Sequence, residues 1–178
     1  MTEKTRKILH SSEKDDWGTP PWLFNLLHQK YEFTVDLCAK PHNALLPRWC
    51  QNLGNGNEVF YAVGKRKIHR ESPITWTREV FFCNPPYGRG IGKLLASIPD
   101  HARGVLLLPS RTGSQWFAEI IGRASSVNYL TGRLIFAGAT SPAPFDSVLM
   151  TIGDVMPVNQ IGELKGHGWA LSEIQRER

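Results

Sequence analysis

Residues 80–87 constrain this chain more than any other segment. The apolar run Val80-Phe81-Phe82-Cys83 predicts a short buried strand. The next four residues, Asn84-Pro85-Pro86-Tyr87 (the NPPY segment), cannot continue that strand, because two successive prolines remove two backbone donors. The carbonyl oxygens of Asn84 and Pro85 are then free to point outward beside an amide side chain and an aromatic ring. We therefore predict a binding site for a flat group that bears an amine.

Length and composition indicate one globular domain. The chain has 178 residues, of which 41% are hydrophobic and 21% charged. We predict an N-terminal arm over residues 1–16, a folded domain over 17–153 and a C-terminal tail over 154–178. The net charge of +5 favours an anionic partner such as nucleic acid, although charge alone leaves other partners open.

The cysteines and the apolar runs predict the cellular compartment and whether a metal or a membrane is involved. Three cysteines without a CxxC pair do not form a disulfide framework, which favours a reducing cytoplasm. The spacing of Cys38, His42 and Cys50 fits no closed zinc pattern, so we predict no metal. No apolar run approaches the ~20 residues that span a membrane, so we predict no membrane partner and a cytoplasmic protein.

Hydrophobic periodicity predicts strands that alternate with helices. Thr19 is the expected N-cap of a first helix and Pro20 its first residue, while Asp36 lies near the end of the first strand. Residues 41–58 are expected to be irregular, with a turn at Asn55-Gly56, and 65–70 to form a basic loop. The predicted helices are 20–31, 91–98 and 114–123, and the predicted strands are 33–39, 59–63, 80–83, 104–109, 127–130, 133–137 and 148–152. This order predicts a mostly parallel α/β sheet with antiparallel additions at one edge.

Several segments together resemble one enzyme family. The NPPY segment after an apolar strand resembles the catalytic motif of methyltransferases that act on amino groups and use S-adenosylmethionine. The whole ordered set resembles the phage-type DNA N-6-adenine methyltransferases (Dam). It comprises Asp16-Trp17-Gly18-Thr19-Pro20, Val35-Asp36-Leu37-Cys38-Ala39, Trp76, Leu108-Pro109-Ser110-Arg111-Thr112, Gly132-Arg133-Leu134-Ile135-Phe136 and Pro142-Ala143-Pro144-Phe145.

The resemblance implies a fold, a reaction and a set of site residues. The fold is α/β, an S-adenosylmethionine-dependent methyltransferase fold with a mixed, mostly parallel seven-stranded sheet and flanking helices. The reaction transfers a methyl group to the 6-amino group of a flipped adenine in DNA. By position, the implied catalytic residues are Asn84, Pro85, Pro86 and Tyr87, and the implied cofactor residues are Thr19, Pro20, Asp36, Cys38, Ala39 and Glu71. One departure is that no glycine-rich GxG turn follows the first strand.

The implied reaction requires an activated amine. The amine of adenine is a poor nucleophile because its lone pair is delocalised into the ring. The side-chain oxygen of Asn84 and the carbonyl of Pro85 are suited to accept its hydrogens and to stabilise the charge that develops in the transition state. Tyr87 is expected to stack on the base. Arg89, Arg111 and Arg133 are expected to hold phosphates or base edges.

Other functions suit the same residues. The acceptor could instead be the 4-amino group of cytosine, an RNA base or a protein glutamine, or the chain could bind nucleic acid without catalysis. Individual residues also have simpler interpretations: Thr19 as a helix cap only, Asp36 as a turn cap, Glu71 as a solvated carboxylate, and the arginines as surface charges. A monomer and a weak dimer are both open.

Overall fold

The computed structural model describes residues 17–51, 53, 58–63, 67–156 and 171–173, and only the backbone of 58–63, 67–72 and 171–173. The arm over 1–16, the turn at Asn55-Gly56 and most of the tail lie outside the described residues. The helices are α1 Pro21–Tyr31, α2 Ile91–Ala96 and α3 Gln115–Arg123. The strands are β1 Val35–Leu37, β2 Arg48–Cys50, β3 Glu58–Val63, β4 Lys67–Pro73, β5 Val80–Cys83, β6 Arg103–Pro109, β7 Ala124–Leu130, β8 Ser147–Ile152 and β9 Leu171–Glu173.

The described strands form one sheet in the order β4-β3-β2-β1-β5-β6-β8-β7-β9. The central strands β2, β1, β5 and β6 are mutually parallel, and the pairs outside them are antiparallel. The predicted mixed α/β class is therefore confirmed. The predictions of seven strands and of a mostly parallel sheet are wrong, because β3 and β4 on one side and β8, β7 and β9 on the other pair antiparallel with their neighbours.

Two of the added strands come from segments that were predicted to be loops. β2 lies inside the segment 41–58, and β4 contains most of the basic segment 65–70. β3 and β4 form an antiparallel hairpin in which Val63 pairs with Lys67. Charged residues are typical of an exposed sheet edge, where they discourage pairing with another chain. β4 therefore lacks the alternation of apolar residues because it is an edge strand. For the same reason the sequence analysis predicted a loop there.

The segment 133–137 was predicted to be a strand, and this is wrong. Leu134 and Phe136 are buried while Ile135 is 51% exposed, which gives the alternation of a strand. The backbone, however, makes only an isolated bridge between Ala137 and Gly18, in which Ala137 N donates to Gly18 O at 2.7 Å. The alternation reflects one face packed on the core, and the segment crosses the edge of the sheet without joining a ladder.

The core lies on both faces of β5. Phe81 and Phe82 point to opposite faces of the sheet and both are fully buried, as expected for a covered parallel strand. Phe82 packs edge to face on Phe24 of α1, with the ring centroids 5.2 Å apart. Gly104 of β6 pairs with Phe81, and a methyl group on Gly104 would lie 2.2 Å from the Phe81 carbonyl oxygen. These contacts fix β5, and with it the position of the NPPY segment.

The amino ends of β1, β2 and β5 are held together by an ion pair. Arg48 donates to both carboxylate oxygens of Glu79 at 3.0 Å, and the Thr34 hydroxyl donates to the same carboxylate. Burial raises the pKa of Glu79, but the bonds from Arg48 and Thr34 outweigh burial, so the pKa lies below its usual value. This network fixes the register of three strands at the end opposite the NPPY segment.

Candidate active site

The NPPY segment lies where the strand order of the sheet reverses. From β1 the chain moves to β2 on one side, and after β4 it returns to β5 on the other side of β1. β1 and β5 are parallel neighbours in which Leu37 pairs with Cys83, so their carboxyl ends lie side by side. Open α/β sheets bind ligands in the crevice at such a point. We call the edge of the sheet where β1, β5 and β6 end the carboxyl edge.

Asp36 is a buried acid on the β1 side of this crevice. Its side chain is 4% exposed, and its Oδ2 accepts a hydrogen bond from Leu45 N at 2.8 Å. Burial raises the pKa of Asp36 from 3.8 to about 7, although the Leu45 N–H lowers it. A buried acid whose pKa is raised towards neutral pH suits a group that exchanges a proton or a hydrogen bond with a ligand.

Cys38 and Ala39 turn the chain away from β1. Cys38 has a positive φ of 65°, in the left-handed region, and its Sγ lies 3.7 Å from that of Cys83. Burial, followed by the contact with Cys38, raises the pKa of the Cys83 thiol. The thiols fill space beneath the crevice, while Ala39 forms part of its buried wall.

Asn84 is held by two acceptors from the segment before α1. Its Nδ2 donates to Trp17 O at 2.5 Å and to the Thr19 hydroxyl at 2.9 Å. Its Oδ1 is buried and has no hydrogen-bond partner within the described part of the chain. A buried acceptor without a partner is costly, so it indicates a group that receives its donor from a ligand.

Thr19 differs from its predicted role as a helix cap. Pro20 occupies the N-cap position of α1, and no side chain caps the helix there. The Thr19 hydroxyl instead bonds to Asn84 and lines the crevice, where Thr19 is 6% exposed. Pro20 is buried, and its carbonyl accepts from Phe24 N at 3.1 Å. The predicted cofactor contacts of both residues stay predictions.

Tyr87 is buried in an aromatic cluster. Its hydroxyl donates to Leu107 O at 3.2 Å, and its ring packs edge to face on Phe145 and Phe136. Burial raises its pKa well above the usual value. Trp17 completes the cluster, with centroids 5.2 Å from both phenylalanines. Tyr87 thus supports the site from below in this conformation, and its stacking on a base stays a prediction.

The two prolines of the NPPY segment differ in exposure. Pro85 is buried, whereas Pro86 is exposed next to Gly88. β5 ends at Cys83, as predicted from the two prolines. The half-buried Asn84 therefore lines the crevice at the end of β5, and the exposed Pro86 lies two residues further along the chain.

The three predicted arginines follow three strands that run in one direction. Arg89 follows β5, Arg111 follows β6, and Arg133 follows β7. β7 runs in the same direction as β6, because β8 pairs antiparallel with both strands. All three side chains are exposed. Arg133 lies 3.5 Å from Asp146, while Arg89 and Arg111 have no ion pair among the described residues. The structure thus brings the three cations together at the carboxyl edge.

Glu71 is a predicted site residue that the structure places away from β1. It belongs to β4, the edge strand, which two further strands separate from β1. At about 4.8 Å per strand, its backbone lies roughly 14 Å from that of β1. Its side chain lies outside the description, and its cofactor contact stays a prediction.

The crevice residues fit the chemistry of S-adenosylmethionine. This group presents an ammonium, hydroxyl groups and an adenine amine as donors, and a buried acid with a pKa near neutral is a suitable acceptor. The wall that includes Asp36, Cys38, Ala39, Thr19 and Asn84 is continuous from β1 to β5. No cluster of three or more metal-ligating side chains occurs among the described residues. None of the helices described is long and apolar enough to cross a membrane.

Sequence reasoning missed part of the site. Trp17, Phe136 and Phe145 were noted only as parts of the segments that resemble the family, and Leu45 was not noted. The position of Trp17, two residues before Thr19-Pro20, was the available sequence evidence for it. Its contact with Asn84 is made by the backbone carbonyl, and residue type does not predict such a contact. The Asp36–Leu45 bond likewise depends on how the loop after β1 folds.

Fold and site together define the class of this protein as an α/β enzyme. Its polar crevice lies where the strand order reverses, and Asn84 Oδ1 is available there to accept a hydrogen bond from an amine. Comparison with known families makes the class specific. The chain matches the model of the DNA N-6-adenine-methyltransferase (Dam) family over residues 6–150, and it belongs to that family.

Relatives agree with this membership. The DNA N-6-adenine-methyltransferase of Haemophilus phage HP1 (strain HP1c1) is 26% identical over 137 residues, which cover 74% of this chain and 70% of the relative. No solved structure matches the chain. The family confirms the predicted resemblance and the predicted enzyme class, a DNA methyltransferase specific for adenine.

Proposed function

We propose that this protein transfers a methyl group from S-adenosylmethionine to the 6-amino group of adenine in DNA, at the NPPY segment. The observation that carries the proposal is Asn84 Oδ1, a buried acceptor without a partner among the described residues, at the crevice of a chain in this family. An exocyclic amine supplies the hydrogen that this oxygen lacks. A buried oxygen of this kind needs a donor that arrives with the substrate.

Asn84 Oδ1 and the Pro85 carbonyl act on the amine before transfer. Each accepts one N–H, which draws the hydrogens out of the ring plane and restores a lone pair on the nitrogen. Both dipoles are fixed before the reaction, so they stabilise the developing positive charge without reorganising. The cofactor supplies the methyl group, and the proton that the nitrogen loses passes to solvent.

Asp36 acts on the cofactor side of the crevice. Its carboxyl is buried and is already oriented by the Leu45 N–H, so it presents its remaining acceptor capacity in a fixed direction. Thr19, Cys38 and Ala39 form the neighbouring wall, and Pro20 follows Thr19 in the chain. Glu71, on β4, is an assigned residue that stands apart.

The carboxyl edge faces the DNA. Arg89, Arg111 and Arg133 are exposed there, and together with the net charge of +5 they suit a polyanionic backbone. A base within a duplex cannot reach a crevice at the end of β5, so the target adenine leaves the stack at a cost of about a few kcal/mol. The arginines hold the flanking phosphates while it does so.

Nucleoside analysis tests the proposal. DNA is incubated with the protein and S-adenosylmethionine that carries a labelled methyl group, digested, and analysed by mass spectrometry. We expect label in N6-methyladenine. Label in cytosine, in RNA supplied as a competitor, or only in protein contradicts the proposal and selects another acceptor. If calorimetry detects no binding of S-adenosylmethionine, the chain is instead a binder of nucleic acid.

A further inference from the structure

The segment before α1 controls which atom of the Asn84 amide faces the crevice. Trp17 O is a backbone carbonyl and can only accept a hydrogen bond. It lies 2.5 Å from the Asn84 side-chain nitrogen, a distance at which an oxygen in place of that nitrogen would be repelled. Only one of the two orientations of the amide therefore fits, and it leaves Oδ1 as the free acceptor.

The Thr19 hydroxyl holds the second hydrogen of the same nitrogen. Its Oγ1 lies 2.9 Å from Asn84 Nδ2, and Thr19 is 6% exposed, so water does not compete for this bond. With both hydrogens of Nδ2 engaged, the amide plane cannot rotate without breaking a buried bond. The geometry explains why the first residue of the NPPY segment is an amide here: a carboxylate has no hydrogen to give to Trp17 O.

The two acceptors are themselves anchored. The Trp17 ring packs on Phe136 and Phe145, with centroid distances of 5.2 Å to each. Between them, Gly18 O accepts a bond from Ala137 N at 2.7 Å, and a methyl group on Gly18 would lie 3.2 Å from the Ala137 side chain. The segment 17–19 is therefore fixed to the β7–β8 connection, and it does not depend on α1 alone for its position.

We propose that Thr19 and the carbonyl of Trp17 are positioning groups for the methyl transfer, which orient the Asn84 amide so that Oδ1 meets the substrate amine. This rests on the proposed function and goes beyond it, because it gives Thr19 a role through Asn84. Thr19 then contributes to the rate of the chemical step. Loss of the Thr19 hydroxyl should therefore change the rate of methyl transfer and leave the affinity for the cofactor nearly unchanged.

Substitution of Thr19 tests the second bond. In Thr19→Val the hydroxyl is lost at nearly constant shape, and we expect kcat to fall roughly 10- to 100-fold, since a misplaced reacting group has an effect of this size. The KM for DNA and the cofactor Kd should stay within about threefold. Thr19→Ser restores the hydroxyl and should recover most of kcat. Thr77→Val, at an exposed position before β5, is the matched control and should behave as wild type.

Two results from this series overturn the proposal. One is a Thr19→Val enzyme whose kcat equals that of wild type. The other is a variant whose cofactor Kd rises while kcat holds, which makes Thr19 a cofactor contact instead. If wild type itself does not methylate adenine, the proposed function fails. The orientation is then tested by NMR of the Asn84 side-chain NH2, whose hydrogen exchange should quicken in Thr19→Val.

Asn84→Asp tests the bond to Trp17 and does not depend on how well Thr19→Val folds. A protonated aspartate can donate to Trp17 O while its other oxygen accepts from the substrate, but an ionised one cannot. We therefore expect the ratio of the Asn84→Asp rate to the wild-type rate to rise severalfold as pH falls from 8 to 5. Asp36 lines the same crevice and would couple to the new carboxyl, so the comparison is repeated in an Asp36→Asn background, where that titration is absent. A ratio that does not change with pH overturns the proposal.

Discussion

Two polar side chains at the crevice determine what this site can do. Asn84 and Asp36 come from neighbouring parallel strands, and each has one polar atom engaged by the backbone of a loop: Nδ2 by Trp17 O, and Oδ2 by Leu45 N. The loops therefore orient the side chains, and the strands only place them. The chemistry of the site therefore depends on the polar atoms that the loops do not bind, such as Asn84 Oδ1.

Asn84→Ala tests the acceptor directly. We expect the methylation rate to fall at least ~10²-fold, because removal of one preoriented polar group from such a site has this effect. Cofactor binding measured by calorimetry should be retained. Asn25→Ala, which removes an exposed asparagine from α1, is the control and should leave the rate unchanged. Near-normal turnover of Asn84→Ala would refute the role of Oδ1.

Asp36 makes stability depend on pH in a defined direction. Its pKa is raised from 3.8 to about 7 in the folded state, so the folded chain holds this proton more tightly than the unfolded chain does. The free energy of unfolding should therefore fall as pH rises through this window, by at most roughly 4 kcal/mol at about 1.4 kcal/mol per pH unit.

Urea denaturation of wild type and Asp36→Asn at pH 5 and pH 8 measures this contribution. The variant has no proton to lose, so its stability relative to wild type should be greater at pH 8 than at pH 5. An equal difference at both pH values would show that the Asp36 carboxyl titrates alike in the folded and unfolded chains.

At the scale of elements, the close approach of β5 and β6 holds the NPPY segment in place. Gly104 lies opposite Phe81 in the ladder and leaves no room for a side chain, because its Cβ would meet both the Phe81 carbonyl and the Phe81 ring. The glycine is required here by close packing, and its φ is not positive. β6 can therefore support β5 along its full length.

Gly104→Ala should destabilise the protein by about 1–3 kcal/mol, the usual effect of overpacking a core. Gly122→Ala adds the same methyl group to an exposed position in α3, where nothing lies within 4 Å of the new atom. It should stabilise the protein by up to ~1 kcal/mol, since alanine favours the helix. Urea midpoints of the two variants give the comparison. Equal midpoints would mean that β5 and β6 can separate freely.

At the scale of the whole molecule, three exposed arginines share one edge of the sheet. Arg89, Arg111 and Arg133 follow strands of the same direction and lie at the carboxyl edge, whereas Arg78 precedes β5 at the opposite edge. All four are exposed, so they differ in position and not in burial. Under the proposed function, we expect DNA that enters the crevice to contact the first three.

Salt dependence of DNA binding tests this arrangement. Replacement of any one of the three arginines by alanine should lower the slope of log affinity against log salt by about 0.9, the value for one phosphate contact. Arg133 should show the smallest change, because Asp146 lies 3.5 Å away. Arg78→Ala should leave the slope unchanged. A uniform effect of all four variants would indicate binding by net charge alone. Fluorescence anisotropy at several salt concentrations measures each slope.

The sequence alone determined the parts of this protein that depend on neighbouring residues. Hydrophobic runs and periodicity predicted β5, β6 and the three helices, and two prolines ended β5 at Cys83. The NPPY segment and Asp36 were predicted as site residues because an amide, two prolines, an aromatic ring and an acid can each take only a few chemical roles. The family followed from the order of such segments, and the family comparison confirmed it.

Tertiary structure decided everything that depends on contacts between distant residues. β4 and β2 are strands because partners accept their backbone bonds, and 133–137 is not a strand because no ladder receives it. Asn84 lies 65 positions from Thr19 in the sequence, and only the folded chain brings the amide to its two acceptors. Local propensity carries no information about such pairings, so the orientation of Asn84 Oδ1 could not be predicted from the sequence.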